Sequence, residues 1–273
     1  MKLKIICGQL EITPGRPDVN YKKIIDAIEK ARSLEADILL LPEMALPGYL
    51  IGDIWEQQTF LDDCAYYAEK IVAATENICV IFGSVATEPG KLNEDGRVRK
   101  YNAAFACQNG KLLGGYQGRS FFIKTSLPNY REFDDCRHFY SLQKLCAEEG
   151  ASVSEALQPL EIVIRGTSLR IGVMLCEDGW TENYHLNVPQ TLAANGAQLL
   201  CNLSCSPYTL GKNRSATAFS VRRHAPQAFR SSTATMSASR TTARTSSPTT
   251  AVLPPTTATA VWLPLRPCMP IPF

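Results

Sequence analysis

The amino-acid composition changes abruptly at residue 215, and this change limits how much of the chain can fold as one domain. Residues 215–273 contain no Asp, Glu, Lys, Gly, Asn or Tyr, and Ser, Thr, Ala, Pro and Arg fill 43 of these 59 positions. Residues 1–214 carry a net charge of −4, whereas residues 215–273 carry +6. The overall charge of +2 is therefore the sum of two regions of opposite charge, and it does not indicate nucleic-acid binding.

Two interpretations of residues 215–273 stay open. Their Ser, Thr and Pro content is typical of a basic disordered arm. A reading-frame error explains them better. Thr, Ala and many Ser codons share the same second base, so a one-base shift converts them into codons for other residue types. When the codons of residues 227–238 are read one base back, they can encode an apolar strand followed by a turn. We therefore predict a folded domain over residues 1–214, followed by a segment that is disordered or a frame-shift product. The last core strands would then be missing, which would expose a sheet edge.

Residues 1–214 alternate between apolar runs and segments with helical spacing, which indicates an α/β layered domain. The predicted order is strand, helix, strand, helix, strand, at 4–10, 21–32, 37–41, 60–74 and 78–85. Hairpins are predicted to turn on Asn109-Gly110 and at Gly166-Thr167, and a helix at 188–195 that stops at Gly196 precedes a strand at 198–203. These hairpins disfavour a purely parallel Rossmann sheet, and the sequence contains no glycine-rich phosphate loop.

Several functional classes are excluded by simple patterns. No apolar run reaches the roughly 18 residues that a membrane span needs, and the N-terminus has no secretory cleavage site. The ten cysteines include no CxxC pair, so they fit buried thiols in a reducing compartment better than disulfides or zinc ligands. We expect a cytoplasmic protein with neither a membrane nor a nucleic-acid partner.

Three predicted strand ends carry residues suited to catalysis. Glu43 follows the apolar run at 37–41, Lys124 follows three apolar residues, and Cys176 ends another apolar run. A cysteine nucleophile needs a proton acceptor and a cation for the developing oxyanion, which Glu43 and Lys124 could supply together with the backbone N–H of Glu177.

Taken singly, these three residues also have ordinary structural explanations. An acid after a strand usually caps it or forms an ion pair, a lysine there usually extends to solvent, and a cysteine is usually a small core residue. His138 and His185 lie in polar, loop-like sequence, which makes a Cys–His dyad the less natural choice.

Four sequence blocks resemble the nitrilase, or carbon–nitrogen hydrolase, superfamily. They are LPEMALPGY (41–49), IKTSLPNYREFDD (123–135), GVMLCEDGW (172–180) and NLSCSPYTLGK (202–212), and they occur in the order of that family. They are most similar to the glutaminase domain of glutamine-dependent NAD synthetases. The resemblance implies a four-layer αββα sandwich, here incomplete at its C-terminal end.

The resemblance also assigns roles to residues. It implies Glu43 as the general base, Lys124 as the cation and Cys176 as the nucleophile. Three further residues would hold the glutamine substrate: Tyr130, Ser206 and Lys212. Tyr49 and Trp180 would shape the pocket, and either Glu132 or Asp135 would supply an additional acid near the lysine.

The implied activity is hydrolysis of the glutamine amide through a cysteine thioester, releasing ammonia for NAD synthesis from nicotinate (deamido) adenine dinucleotide. This amidase step needs no metal or cofactor, because ATP and Mg²⁺ serve a synthetase domain whose SGGxDS loop is absent from this sequence. The expected partners are glutamine, an ammonia-accepting synthetase domain or chain, and further copies in a homo-oligomer. The alternatives are a stand-alone aliphatic amidase and an inactive fragment.

Overall fold

The protein forms two β-sheets that face each other, with helices outside both. The computed structural model describes residues 3–180, 184–206, 235–239 and 258–264. The inner core lies between the sheets, where Ile5 and Ile81 of the first sheet belong to the same cluster of buried side chains as Val173 and Leu203 of the second. This arrangement is the predicted four-layer αββα sandwich.

The first sheet is mixed. Its strand order is β11-β1-β2-β3-β4-β5, and β6 also pairs with β4. The strands β11, β1, β2 and β3 pair with one another in parallel, in that order. Strand β4 pairs antiparallel with β3, β5 and β6. The strands are β1 (Leu3–Gln9), β2 (Ile38–Leu40), β3 (Cys79–Leu92), β4 (Val98–Gln108), β5 (Lys111–Leu113), β6 (Phe122–Ile123) and β11 (Ala258–Pro264).

The second sheet has the order β10-β9-β8-β7, with β7 and β8 forming the predicted antiparallel hairpin. Along β8, Ile171, Val173 and Leu175 enter the core between the sheets, whereas Met174 belongs to the outer cluster that includes helical residues. This alternation follows from the two-residue period of a strand. The strands are β7 (Leu160–Ile164), β8 (Thr167–Leu175), β9 (Leu199–Ser204) and β10 (Thr235–Ser239).

The helices cover the outer faces of the two sheets. In α1, Ile24, Ala27, Ile28 and Ala31 are buried at helical spacing against the first sheet. Helix α6 ends before Gly196, whose φ of +90° favours glycine, as predicted. The helices are α1 (Pro17–Ser33), α2 (Gln58–Ala73), α3 (Asp135–His138), α4 (Leu142–Glu149), α5 (Val153–Ala156) and α6 (Val188–Ala194).

The elements predicted within residues 1–214 are found, most of them within a few residues of their expected bounds, but β3, predicted to end at 85, runs to Leu92. Three helices, α3 to α5, were not predicted, because their short apolar spacing gives little periodic signal. The loop expected around His138 is wrong, because His138 lies in α3 with its ring buried. Its surroundings are polar, as expected, and its Nδ1 is 3.1 Å from Glu56 Oε1.

Two of the described strands lie within the segment 215–273. Strand β10 pairs with β9 and β11 pairs with β1, both in parallel. We expected a sheet edge to be exposed, but in the structure β11 and β10 cover the edges at β1 and β9. The physical reason is that an open edge offers unpaired backbone groups to which another strand can bond. The predicted domain boundary at residue 214 remains a prediction.

Of the nine described cysteines, all free, seven are buried, Cys136 is exposed and Cys205 is intermediate. Within the described ranges, no cluster of three or more His, Cys, Asp or Glu side chains could hold a metal ion. No helix in the part of the chain that the structure describes is long and apolar enough to cross a membrane.

Candidate active site

Glu43 is placed by a turn that packs tightly against β3. After β2, the Leu41 N–H donates to the Ile81 carbonyl at 2.8 Å, and the Gly83 N–H donates to the Pro42 carbonyl at 3.1 Å. A Cβ atom on Gly83 would lie 2.6 Å from the Glu43 Cα and 2.4 Å from the Met44 nitrogen. Glycine at position 83 therefore allows the turn to reach its position, and the Glu43 side chain is buried there.

Lys124 lies at the centre of a buried group of oxygen atoms. It follows β6, and its backbone N–H donates to the Asn102 carbonyl at 2.9 Å. Its Nζ donates to Glu43 Oε1 at 2.8 Å, to Asp135 Oδ2 at 2.9 Å and to the Tyr49 hydroxyl at 3.0 Å. The Tyr49 hydroxyl in turn donates to Asp135. The Lys124 side chain is 0% exposed, so these three acceptors replace the water molecules that would solvate the ammonium group.

Cys176 stands at the junction of β8 and the 3₁₀ turn Cys176–Gly179. Its φ is +36°, which is unfavourable for a residue with a side chain. Its Sγ lies 3.2 Å from the hydroxyl oxygens of both Ser204 and Ser206, at the end of β9. Its carbonyl accepts a hydrogen bond from Asn202 Nδ2 at 3.3 Å. The nucleophile predicted from the sequence is thus held from several sides.

The structure brings Glu43, Lys124 and Cys176 into one electrostatic unit. Burial and, to a smaller extent, the charge of Glu43 raise the pKa of the Cys176 thiol to about 11, against the opposing effects of Lys124 and of the hydroxyls of Ser204 and Ser206. At pH 7 only roughly one thiol in 10⁴ would be ionised. Attack by this cysteine therefore requires transfer of its proton to a base as the new bond forms.

The Glu43 carboxylate acts on this thiol electrostatically, and it is a side chain that can accept a proton. Burial raises the pKa of its carboxyl, while the Lys124 charge and the Asn102 hydrogen bond oppose that rise. Burial lowers the pKa of Lys124, but Glu43, Tyr49 and Asp135 together raise it well above its usual value. Lys124 is therefore a permanent cation at neutral pH. Glu43 Oε2 also accepts the Cys205 backbone N–H at 3.1 Å, which joins the turn at Glu43 to the end of β9.

The structure selects Asp135 over Glu132 as the additional acid. Asp135 is buried and hydrogen-bonded to Lys124, whereas Glu132 is exposed. Of the predicted substrate-binding residues, Ser206 contacts the Cys176 sulfur, and Tyr130, 49% exposed, donates to Glu177 Oε2 at 3.0 Å. Lys212 lies outside the described residues.

The other predicted residues near the site are Tyr49, which contributes a hydroxyl to the lysine, and Trp180, which lies half-buried directly after the 3₁₀ turn. The expected contribution of the Glu177 backbone N–H to an oxyanion hole remains a prediction.

Several polar side chains at the site, including those of Ser204 and Asn202, were not assigned from the sequence. Asn102 donates to Glu43 Oε1 at 2.9 Å, Asp178 accepts backbone N–H groups, and the Glu177 carboxylate accepts from both Tyr130 and Tyr184. The acids directly after Cys176 could be seen in the CEDG sequence, but the directions in which their side chains point could not.

A separate cavity of about 420 Å³ lies against α2, β3 and β4, and its lining is mainly apolar.

The carbon–nitrogen hydrolase family model matches residues 4–238. This match covers most of the chain, so the protein belongs to the carbon–nitrogen hydrolase family. The resemblance inferred from the four sequence blocks is confirmed, and so is the enzyme class.

Similar curated proteins are glutamine-dependent NAD(+) synthetases. The one from Thermotoga maritima is 31% identical over 214 residues, which cover 77% of this chain and 31% of the relative. The one from Synechocystis is 30% identical over 220 residues, covering 77% of this chain and 35% of the relative. The chain therefore spans about a third of the length of these relatives.

Solved structures agree with this family membership. The glutamine-dependent NAD+ synthetase from Acinetobacter baumannii, in complex with ADP, superposes with a TM-score of 0.59 at 26% identity, covering 77% of this chain and 34% of that one. An amidase from Nesterenkonia sp. gives a TM-score of 0.59 at 18% identity, covering 85% of this chain and 74% of that one. This second likeness concerns the fold alone, and it confirms the expected nitrilase-type sandwich.

Proposed function

We propose that this domain hydrolyses the side-chain amide of glutamine to glutamate and ammonia through a thioester on Cys176. The observation that carries the proposal is the buried Lys124–Glu43 pair at 2.8 Å, whose two charges both act on the Cys176 thiol. The similarity to glutamine-dependent NAD(+) synthetases supports glutamine as the substrate.

The first half of the reaction forms the thioester. The Cys176 sulfur bonds to the amide carbon while its proton passes to Glu43, and the carbonyl electron pair moves onto oxygen. Lys124 stabilises that oxyanion, together with the predicted Glu177 backbone N–H, in a type of contact worth about 3–4 kcal/mol. Glu43 then donates the proton to the amide nitrogen, the C–N bond breaks and ammonia leaves.

The second half restores the enzyme. Water attacks the thioester carbon and gives a proton to Glu43, and the C–S bond breaks. Glu43 returns the proton to the Cys176 sulfur, and glutamate leaves. The sum is glutamine plus water giving glutamate plus ammonia, and every protein group in these steps belongs to this chain.

Glu177 supports an amino-acid substrate over a simple aliphatic amide. Its carboxylate is buried, directly follows the nucleophile, and is oriented by Tyr130 at 3.0 Å and Tyr184 at 2.7 Å. Glutamine carries an α-ammonium group that can pair with such a carboxylate, whereas acetamide carries none. This contact would distinguish a glutaminase from an aliphatic amidase.

The released ammonia would be consumed by a synthetase domain or chain that makes NAD from its deamido precursor. The similarity to longer synthetases supports this partner, which would also supply the ATP and Mg²⁺ sites. The expected homo-oligomer and the cytoplasmic location remain predictions.

An ammonia-release assay tests the proposal. We expect release from glutamine, much slower release from asparagine and acetamide, and none from Cys176→Ala. The matched control is Cys136→Ala, which changes an exposed cysteine and should keep full activity. Faster turnover of acetamide than of glutamine would favour the aliphatic amidase, and no release from any amide would favour the inactive fragment.

A further inference from the structure

Asp178 joins the backbone segments that carry the nucleophile and the cation. Its buried carboxylate accepts the Thr125 N–H at 3.0 Å, the Ser126 N–H at 2.7 Å and the Leu175 N–H at 3.2 Å. Thr125 directly follows Lys124, and Leu175 directly precedes Cys176. A single carboxylate therefore holds the neighbours of two reacting groups.

These two segments belong to different sheets. Lys124 follows β6 of the first sheet, and Cys176 follows β8 of the second. Side-chain packing between two sheets leaves some freedom to slide, whereas hydrogen bonds to one carboxylate fix both segments in direction and distance. The distance between the sulfur and the ammonium thus depends on Asp178.

The backbone at Cys176 needs such support. A φ of +36° is unfavourable for a residue with a side chain and persists only where the surroundings hold it. The Asp178 carboxylate fixes the residue before Cys176, and Asn202 holds its carbonyl at 3.3 Å. Asp178 itself lies in the 3₁₀ turn that begins at Cys176, so it closes the turn on which the nucleophile is presented.

The two carboxylate oxygens divide these partners unequally. Oδ1 accepts from Ser126 at 2.7 Å and from Thr125 at 3.0 Å, whereas Oδ2 accepts from Leu175 at 3.2 Å and more distantly from Thr125 at 3.3 Å. Protonation of Oδ2 would place an O–H against the Leu175 N–H and release the segment that carries Cys176, while Oδ1 would still accept from Thr125 and Ser126 on the segment that carries Lys124. Burial raises the pKa of Asp178 to about 7, and the Lys124 charge and the three backbone N–H groups oppose that rise.

We propose that Asp178 is a positioning residue that sets the geometry between the Cys176 sulfur and the Lys124 ammonium. This inference deepens the glutaminase proposal and rests on it. Asp178 does not itself touch the reacting atoms in this account, and it acts through the residues on either side of the trio.

The variant Asp178→Asn tests this role. The amide oxygen can still accept from Thr125 and Ser126, but the amide NH₂ faces the Leu175 N–H and cannot accept from it. We expect kcat to fall about 100-fold, as for a misplacement of about 1 Å, while KM for glutamine stays within twofold. The control Asp26→Asn, on the exposed face of α1, should change neither constant. A folded Asp178→Asn protein with unchanged kcat would overturn the proposal.

Alkylation of Cys176 by iodoacetamide gives a readout that does not depend on turnover. It is measured against pH in a Glu43→Gln background, because the Glu43 carboxyl would otherwise contribute its own ionisation. We expect an ionisation near pH 7 that disappears in the Glu43→Gln/Asp178→Asn double variant. This result would support the positioning role even if the chain released no ammonia from glutamine.

The same alkylation profile decides the question if Asp178→Asn does not fold. The Glu43→Gln protein alone must then show the ionisation near pH 7. A profile that follows only the ionisation of the Cys176 thiol would overturn the proposal.

Discussion

Gly83→Ala should impair catalysis without touching a reacting group. The added Cβ would lie 2.4 Å from the Met44 nitrogen and 2.6 Å from the Glu43 Cα, both of them backbone atoms. Ordinary van der Waals contacts begin near 3.4 Å, so the turn must retreat by up to about 1 Å. A displacement of this size in a catalytic group costs about 100-fold in rate. We expect kcat for glutamine to fall by about that factor.

Gly8→Ala provides a matched control. Its added Cβ would lie 2.6 Å from Leu41 Cδ2, which is the end of a flexible side chain and can move aside. Both variants should overpack the core, at a cost of about 1–3 kcal/mol of unfolding free energy. Ammonia release and thermal unfolding are measured for both. A folded Gly83→Ala protein with kcat within twofold of the parent, or an equal loss in Gly8→Ala, would refute the role of this close approach.

Three other predictions concern single charged groups. Lys124→Ala should lower kcat by at least 1000-fold in the ammonia assay and cost about 3–5 kcal/mol in denaturant unfolding, because two buried carboxylates lose their cation; a tenfold loss or less would contradict the assigned role. Glu177→Gln should raise KM for glutamine at least tenfold while leaving acetamide turnover unchanged, and equal effects on both substrates would argue against an ammonium contact. Because the pKa of Asp178 is raised from 3.8 to about 7 on folding, its contribution to unfolding free energy is full below about pH 4 and is lost as pH rises through 7; Asp178→Asn should remove this dependence, and denaturant titrations at several pH values would detect a failure to do so.

The layered fold could be predicted because its elements have strong periodic signals. The helix α1 shows four buried residues at helical spacing, and the hairpin of β7 and β8 follows from apolar runs separated by a glycine turn. Helix α4 lacked such a signal, because it is only eight residues long and mostly polar. Its capping by the Ser141 side chain, which accepts the Lys144 N–H at 3.1 Å, became clear only in the structure.

The grouping of Glu43, Lys124 and Cys176 in one site could be predicted from strand ends and from family-like blocks, but the residues that support it could not. Glu132 and Asp135 are equally acidic in sequence, and only the first turn of α3 shows that Asp135 is directed toward Lys124. The need for glycine at position 83 depends on how closely the turn at Glu43 approaches β3, which is a tertiary property. Asp178 likewise looks like any acid beside a cysteine until its three N–H donors are seen.

The most direct test of the account is to search for the covalent intermediate. The protein is mixed with glutamine, quenched in acid within the first turnovers, and digested for mass spectrometry. The thioester mechanism predicts a γ-glutamyl group on the peptide that contains Cys176, and its disappearance in Cys176→Ser or when glutamine is omitted. Ammonia release without such an adduct, or an adduct on another cysteine, would contradict it.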